Sequence, residues 1–523
     1  ITTEMEHNSV LRPLYELEEK GVSVTIVACE KNGTISCEKI QQAIGKNTKA
    51  IVCTHASNVT GDGNDIAQIG ALCEKYNLYF VLDASQTAGA AGIDMEQNHI
   101  SAICFTGHKG LFGPQGTGGI ALADGVCVKP LLSGGSGVHS FERKHPMELP
   151  AALEAGTLNG HGIAGLHAAL DWIKKTGIAA IHEKEMALAE QFQREIETIP
   201  GIHLYGGEKR VAAIVSCNLA DLDSAYVSDC LAEDYGIATR AGVHCAPLIH
   251  THFGTEKQGM VRFSFSCFNT TEEVEKAVGA MRDIAAENRG KVTAYVGAGG
   301  KTSAIRKRAE TMRTEGKKVL ILTATKMMRP QEQEIFAAYE QTWQQRAIPD
   351  TASGWRECRT AEKKWKEQVQ SILDTYGCCV AGSLIPGTEK FGMLPEKLME
   401  ELLYLADEIL IEADGSAHMP VKAPAEHEPV LFPYMDEVVI VMGAHAIGKP
   451  LQEVCHRADY AKKILKCAAD KIVTAADIRA LEEQGYAIPI QKQFPWMKIS
   501  KVTGKDIKLC LTAEKKDKER DKQ

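Results

Sequence analysis

The chain has no run of about 18 consecutive apolar residues, so no segment of it reads as a membrane-spanning helix. It also lacks any excess of positive charge. Its 59 Lys and Arg stand against 68 Asp and Glu, and a formal net charge of -9 leaves no basic footprint for nucleic acid. The one dense charge run, Glu514 to Lys522, mixes both signs and reads as a solvated, frayed tail. The 16 cysteines show no paired spacing, and no charged start leads into an apolar stretch and a small-residue cleavage site. These absences point to a reducing cytoplasm, where most of the cysteines serve as small buried hydrophobes. Internal repeats and low-complexity segments are missing as well.

What is present is material for several cores. At 523 residues, and with about 150 residues per domain as a guide, two to four folding units are expected. Apolar, β-branched runs (Ser23 to Val27, Ala50 to Thr54, Tyr79 to Leu82, Ala102 to Phe105) alternate with helical patterns such as Ile66 to Tyr76, which is the alternation of an α/β domain. A second cycle opens after Lys291, with Thr293 to Val296 as a strand, Ser303 to Glu315 as a helix and Lys318 to Leu322 as a strand. Glu287 to Gly290 is a polar break with a glycine stop signal, and it separates a first domain, 1–288, from a second, 291–510, and a charged tail, 511–523.

In the first half, Phe105-Thr106-Gly107-His108-Lys109-Gly110 follows a strand and precedes the glycine-rich run Gly113 to Gly119. A loop lysine alone is an ordinary surface charge. What changes the reading is Asp83, at the end of the preceding strand, because pyridoxal phosphate (PLP) chemistry needs a lysine to hold the cofactor and an acid to keep its pyridine nitrogen protonated. Further motifs accompany this pair: Glu6-His7-Asn8-Ser9, His55-Ala56-Ser57-Asn58, Asp83-Ala84-Ser85-Gln86, Arg240-Ala-Gly-Val-His244-Cys245-Ala246-Pro247 and Val261-Arg262-Phe263-Ser264.

In these motifs, over residues 1 to about 285, the chain resembles the class V, fold type I PLP enzymes of the cysteine desulfurase and selenocysteine lyase group. The resemblance implies that His7 stacks on the pyridine ring, that Asn58 and Gln86 bond the phenolic oxygen, and that Thr106 and His108 hold the phosphate. Gly134-Gly135-Ser136-Gly137 resembles the loop that reaches a neighbouring subunit's phosphate, which implies a homodimer. Lys109 is then the cofactor lysine, Arg262 the clamp for the substrate α-carboxylate, and Cys245 the sulfur- or selenium-accepting nucleophile. The adjacent His244 and nearby Arg240 are expected to favour the reactive thiolate. A zinc cluster of His244, Cys245, His250 and His252 is the competing reading, and it leaves Arg262 and Lys109 unexplained. Members of the family carry a further N-terminal segment, with a loop that wraps the cofactor phosphate, ahead of the point at which Ile1 stands. The first domain is therefore expected to be N-terminally incomplete, either as a fragment or through loss of part of the cofactor site.

In the second half a strand runs into Gly297-Ala298-Gly299-Gly300-Lys301-Thr302-Ser303 and then a helix. This is the arrangement in which backbone N–H groups and a helix N-terminus cradle phosphates, although Tyr295 stands where the full P-loop pattern has its first glycine. A glycine-rich turn without a ligand is the alternative. Glu408 to Gly415 is an apolar strand ending in Glu412 and Asp414, and Thr302 with Asp414 form the expected magnesium pair. Lys422, Glu426 and His427 are expected to form a polar cluster in a proline-bounded loop. Residues 291 to about 475 resemble the selenium-dependent hydroxylase accessory proteins of the YqeC type, in Gly297 to Thr302, Ile411 to Gly415, Lys422 to Pro429 and Ile447 to Leu451 with His456-Arg457.

The expected protein is thus α/β throughout: a fold type I PLP-dependent transferase domain followed by a P-loop-like α/β nucleotide-binding domain. It would mobilise sulfur or selenium from L-cysteine or L-selenocysteine with PLP, and a magnesium-nucleotide domain would help deliver it to an acceptor protein or to the maturation machinery of a molybdenum hydroxylase. No nucleic acid and no membrane are expected as partners. The competing reading is a catalytically inactive PLP-fold scaffold that carries a nucleotide-dependent accessory domain.

Overall fold

A computed structural model of the chain describes residues 1–330, 332, 335–340, 352–468 and 470–503. The expected tail 511–523, its charge run Glu514 to Lys522 and residues 504–510 of the second expected domain lie outside these residues. The chain is mixed α/β and divides into two compact units between Ile284 and Ala285. No described helix is long and apolar enough to cross a membrane.

In the first unit, the helix Ile66–Tyr76 forms because its apolar positions recur at helical spacing. Ile66, Ile69, Gly70 and Cys73 are buried on one stripe, Asp65 caps the start by accepting from the Gln68 N–H, and Asn77 ends it in the left-handed conformation at φ 53°. That stripe shares a core with Ile51, Cys53, Phe80 and Leu82 from the neighbouring strands. Full burial of each large apolar side chain is worth about 1.5–3 kcal/mol as an upper estimate. Strands Ala50–Thr54, Tyr79–Asp83 and Ala102–Thr106 run parallel in that order, and Gly118–Leu122 closes the sheet antiparallel. Thr54 pairs with Asp83 and Asp83 with Cys104, so the carboxyl ends of the parallel strands, which α/β sheets offer to ligands, lie at one edge.

The Ser23 to Val27 run shrinks to a two-residue strand, Ile26–Val27, paired with Thr2–Thr3. Val22 and Ile26 are exposed, so the run has nothing to bury against before Val27. A separate antiparallel sheet holds Ile202–Tyr205, Ile214–Leu219 and Val261–Ser264. An isolated bridge between Arg240 and Arg262 ties the segment leading to Cys245 onto its edge strand.

The second unit is built on a sheet whose central strands are buried on both faces, and they read accordingly as near-continuous apolar runs. Successive residues of Lys291–Gly297 alternate between two cores: Val292, Ala294 and Val296 pack with Ile409, Ile411, Val438 and Ile440, whereas Tyr295 packs with Leu410, Val439 and Val441. Parallel strands follow one another in the order Cys378–Leu384, Val319–Thr323, Glu408–Glu412, Lys291–Gly297, Glu437–Met442, Lys498–Thr503. The first of these in sequence, Lys291–Gly297, thus lies inside the sheet with later strands on both sides, a topological switch point. The helix Lys301–Thr314 begins two residues before the expected Ser303 and buries Ala304, Ile305, Ala309 and Met312.

Candidate functional site

A cleft of about 290 Å³ opens in the first unit, and His7, Asn58, Gln86, Lys109, Arg240 and Arg262 all line it. Each arrives from a different place in the sequence. His7 is the N-cap of the helix Asn8–Glu19, where its Nδ1 accepts from the Ser9 N–H at 3.1 Å. Burial, followed by the charge of Lys109, lowers its pKa below the usual histidine value. The Asn58 amide donates to the His244 carbonyl at 2.8 Å, and its backbone carbonyl accepts from Arg262 Nη1 at 2.9 Å. Two buried atoms here have no hydrogen-bond partner among the described residues, Asn58 Oδ1 and Arg262 Nε.

Lys109 is half-buried, and among the described residues its ammonium has no ion pair. Burial lowers its pKa, Arg262 and Arg240 push the same way, and Asp83 opposes them. Asp83 sits at the carboxyl end of its strand, where Oδ1 accepts from the Ser85 backbone N–H at 2.9 Å and hydroxyl at 2.5 Å. Arg262 is pushed down to about 10 by burial and by Arg240, which still leaves it charged at neutral pH. Thr106 ends its strand with a buried Oγ1 that has no hydrogen-bond partner among the described residues, while His108 is exposed. Ser136 is not brought to the cleft: it lies in an exposed segment, with its hydroxyl donating to the Val138 carbonyl at 3.0 Å.

Cys245 is exposed, and both it and His244 have positive φ, 57° and 53°. Arg240 Nη2 points at its Sγ from 3.7 Å. The expected help from His244 has to be reassigned. Burial pulls His244 down to about 4, so the ring is neutral near pH 7, and its two nitrogens face the Arg240 carbonyl at 3.0 Å and His250 Nε2 at 3.2 Å. The cation beside Cys245 is therefore Arg240. Among the described residues, no group of three or more His, Cys, Asp or Glu is placed to hold a metal ion.

Sequence reasoning missed Glu185. It lines the cleft, is buried, and accepts from the Cys267 N–H at 3.0 Å, and burial raises its pKa. The available signal was an acid on the apolar stripe of Ile178–Ile196, in step with Ile181, Leu188, Ala189 and Phe192.

The second unit gathers its polar residues at the carboxyl ends of its parallel strands. Gly297, Gly299 and Gly300 have φ of 92°, 78° and 132°, and a β-carbon would stand 2.2 Å from the Val441 carbonyl oxygen at Gly297 and 2.3 Å from that of Pro420 at Gly299. Lys301 folds back under this loop, donating to the Gly297 carbonyl at 2.7 Å and pairing with Asp414 at 3.2 Å. Ser303 is exposed in the first turn of the helix. Thr302 and Asp414 are not hydrogen-bonded to each other. The Thr302 hydroxyl donates to Glu412 at 3.2 Å, whereas Asp414 accepts from the Gly297 N–H at 3.0 Å and the Tyr486 hydroxyl at 2.9 Å, and it also pairs with Lys422 at 3.4 Å. Burial raises Glu412, with Lys301 opposing.

The expected loop cluster separates. Lys422 is fully buried in the strand Val421–Lys422, while Glu426 and His427 are exposed. Glu428 takes their place, bridging Lys422 at 2.8 Å and Arg457 at 3.0 Å. Burial acts to raise its carboxyl, and the ammonium of Lys422 overcomes that and holds it below the ordinary value.

Residues 1–277 match the family model described as Aminotransferase class-V, and residues 293–459 match the model described as YqeC protein. A probable cysteine desulfurase of Methanothermobacter thermautotrophicus is 32% identical over 290 residues, which are 54% of this chain and 72% of that protein. A cysteine desulfurase of an Enterobacter species is 30% identical over 290 residues, 54% of this chain and 70% of the other. Among solved structures, the apo cysteine desulfurase of Thermococcus onnurineus NA1 superposes with a TM-score of 0.52 at 29% identity, covering 55% of this chain and 72% of its own. The cysteine desulfurase CsdA of Escherichia coli, in an S-sulfonic acid form, gives 0.51 at 27% identity, with 55% and 71% covered.

Proposed function

Because the chain belongs, through residues 1–277, to the class-V aminotransferase family, we propose that its first unit is a PLP-dependent enzyme that takes sulfur or selenium from L-cysteine or L-selenocysteine. The observation that carries this reading is the single cleft shared by His7, Asn58, Gln86, Lys109, Arg240 and Arg262. Its residues fit PLP. Lys109 is an amine without an ion pair among the described residues, Asp83 is an acid behind it, and Asn58 Oδ1 and Thr106 Oγ1 are buried with no partner of their own. Lys109 would hold the cofactor covalently, Asp83 its ring nitrogen, His7 its ring face, Asn58 and Gln86 its phenolic oxygen, and Thr106 and His108, with Ser136 of a second copy, its phosphate. When bound, PLP supplies the electron sink for bond cleavage next to the substrate α-carbon.

The rest is the work of the protein's own groups. Arg262 receives the α-carboxylate, for which its free Nε and remaining guanidinium N–H groups offer paired donors. Cys245 Sγ, beside the Arg240 cation, attacks the substrate sulfur or selenium. The substrate bond from Cβ to that atom breaks, a bond to Cys245 Sγ forms, and the proton lost by the Cys245 thiol balances the hydrogen gained at Cβ. The products are alanine and a persulfide or perselenide on Cys245.

The second unit, of the YqeC type, is read as a nucleotide-binding domain. Gly297, Gly299, Gly300, Lys301, Thr302 and Ser303 would surround the phosphates. Magnesium would be held by Thr302 and Glu412, because Asp414 is occupied by the Gly297 N–H, the Tyr486 hydroxyl and Lys422. In this reading the unit passes the product to an acceptor protein or to the maturation of a molybdenum hydroxylase. Titrating PLP into the purified chain tests the first half of the proposal: a visible absorption band should form and alanine should be released from L-cysteine. No band at millimolar PLP would refute it.

A further inference from the structure

The nucleophile proposed above sits in an unusual piece of backbone. Two successive residues with β-carbons, His244 and Cys245, adopt positive φ, a region that L-residues other than glycine and asparagine avoid. Such a turn persists only where its surroundings fix it. Both carbonyls of the turn are fixed, since the His244 carbonyl accepts from the Asn58 amide at 2.8 Å and the Cys245 carbonyl from the Asn8 N–H at 2.7 Å. The third restraint is the His244 side chain, which is buried and runs into a chain of polar groups that the sulfur chemistry does not use.

His244 Nε2 faces the Arg240 carbonyl at 3.0 Å, and a carbonyl only accepts, so that nitrogen carries the proton. Nδ1 of the same neutral ring is then an acceptor. It lies 3.2 Å from His250 Nε2, which must donate, and this leaves His250 Nδ1 to accept from the Thr255 hydroxyl at 2.8 Å. One proton arrangement satisfies every link: Thr255 to His250, His250 to His244, His244 to the Arg240 carbonyl. Burial pulls both rings down to about 4, so they stay neutral at working pH and this arrangement holds.

Local sequence explains how the chain of groups is assembled. Pro247 starts the helix Pro247–Phe253 two residues after Cys245, and Gly254, at φ 67°, ends it in the left-handed conformation. That cap turns the chain back so that the Thr255 N–H donates to the His250 carbonyl at 2.9 Å, which sets the Thr255 hydroxyl beside the His250 ring. The far end of the relay is the carbonyl of Arg240, the residue whose guanidinium approaches Cys245 Sγ at 3.7 Å.

We infer that His250 and Thr255 are positioning residues for the Cys245 nucleophile, acting through His244 to hold both the turn that carries the thiol and the arginine beside it. The inference rests on Cys245 being the acceptor. It separates the roles of the histidines: none of this relay takes the thiol proton, and the ring next to the cysteine is a strut.

The test compares His250→Phe, His250→Gln and Thr255→Val in the full chain loaded with PLP, with Cys245→Ala beside them. A glutamine Nε2 can still donate to His244 Nδ1, whereas phenylalanine cannot. We expect His250→Phe to lower kcat for persulfide formation by about tenfold, the loss of one well-placed hydrogen bond, with the KM for L-cysteine and the PLP absorption unchanged. His250→Gln should recover most of that loss, and Thr255→Val should show a smaller loss of the same kind. Without PLP, iodoacetamide labelling of Cys245, followed on its own peptide, should slow in His250→Phe and recover in His250→Gln. Wild-type kcat and labelling in His250→Phe would overturn the inference. So would a loss that glutamine does not restore, or one accompanied by loss of the PLP band in Thr255→Val, since either marks a general structural role. Persulfide formation that survives in Cys245→Ala would instead remove the acceptor itself, a failure distinct from that of the relay.

Discussion

Lys109 and Lys301 occupy matching places in their two units, each just beyond the carboxyl end of a parallel strand and beside glycine, yet their surroundings are opposite. Lys109 lines an open cleft, with Arg240 and Arg262 near it, and burial and those charges lower its pKa. Lys301 is buried, donates to the carbonyl of its own glycine loop and pairs with Asp414. An amine for which burial and neighbouring arginines outweigh the pull of Asp83 is biased toward its neutral, nucleophilic form. A lysine held against a carboxylate needs a stronger anion to draw it away. In the proposed reading, the same residue type at the same kind of strand end would serve covalent chemistry in one unit and charge in the other.

The contrast breaks most sharply at Lys109. Lys109→Ala should cut alanine release from L-cysteine by on the order of 10⁴, as removal of a covalent catalytic group does, while magnesium-nucleotide binding measured by calorimetry stays unchanged. Comparable loss of both would mean that the units are not separate sites. Next in size is Arg262→Lys. A point charge cannot reproduce a guanidinium's paired donors, so the KM for L-cysteine should rise by about thirtyfold with PLP absorption retained. A KM within twofold of wild type would take Arg262 out of the substrate site.

Lys301→Ala should weaken magnesium-nucleotide binding by about tenfold, about 1.4 kcal/mol, and leave alanine release untouched. Wild type that binds no nucleotide at millimolar concentration would end the nucleotide reading of that loop. Glu412→Gln sharpens the same site. It should remove the magnesium dependence of binding, which Asp414 cannot restore while it holds Lys422, the Gly297 N–H and the Tyr486 hydroxyl.

The smallest effect is one of pH. An amine whose pKa is lowered loses its proton at lower pH than an ordinary lysine, so trapping of PLP on Lys109 by borohydride should reach its half-maximum below pH 10.5. Asp83 opposes that shift, and Asp83→Asn should therefore move the half-maximum further down. An upward movement would contradict the electrostatic account of the cleft.

Much of this was legible in the sequence where periodicity or strand ends decided the matter. The strands carrying Asp83 and Thr106 and the helix Ile66–Tyr76 follow from apolar spacing, and the residues lining the cleft stand in motifs that can be read one at a time. Partner choice was less legible. Glu412 and Asp414 are two residues apart and carry the same parity, so spacing does not tell which one meets Thr302. The strand ends at Glu412, and the chain then carries Asp414 under the glycine loop. Lys422 reads as a loop cation because it stands among polar and proline residues, but the buried Asp414 and the part-buried Glu428 offer it two counter-charges, and with them a lysine can be fully enclosed. Glu185 escaped because a single acid on an apolar helix stripe is a weak signal, and His250, weighed in the sequence only as a zinc ligand, meets His244 and Thr255 instead. Only folding shows what each one faces.

The central claim is that the cleft around Lys109 feeds sulfur to Cys245. It is tested most directly by incubating the PLP-loaded chain with L-cysteine and weighing the Cys245 peptide by mass spectrometry without reductant. The account predicts one added sulfur atom on that peptide, absent in Lys109→Ala and before substrate is added. Alanine release accompanied by an unmodified Cys245, or by the added sulfur on another of the cysteines, would contradict it.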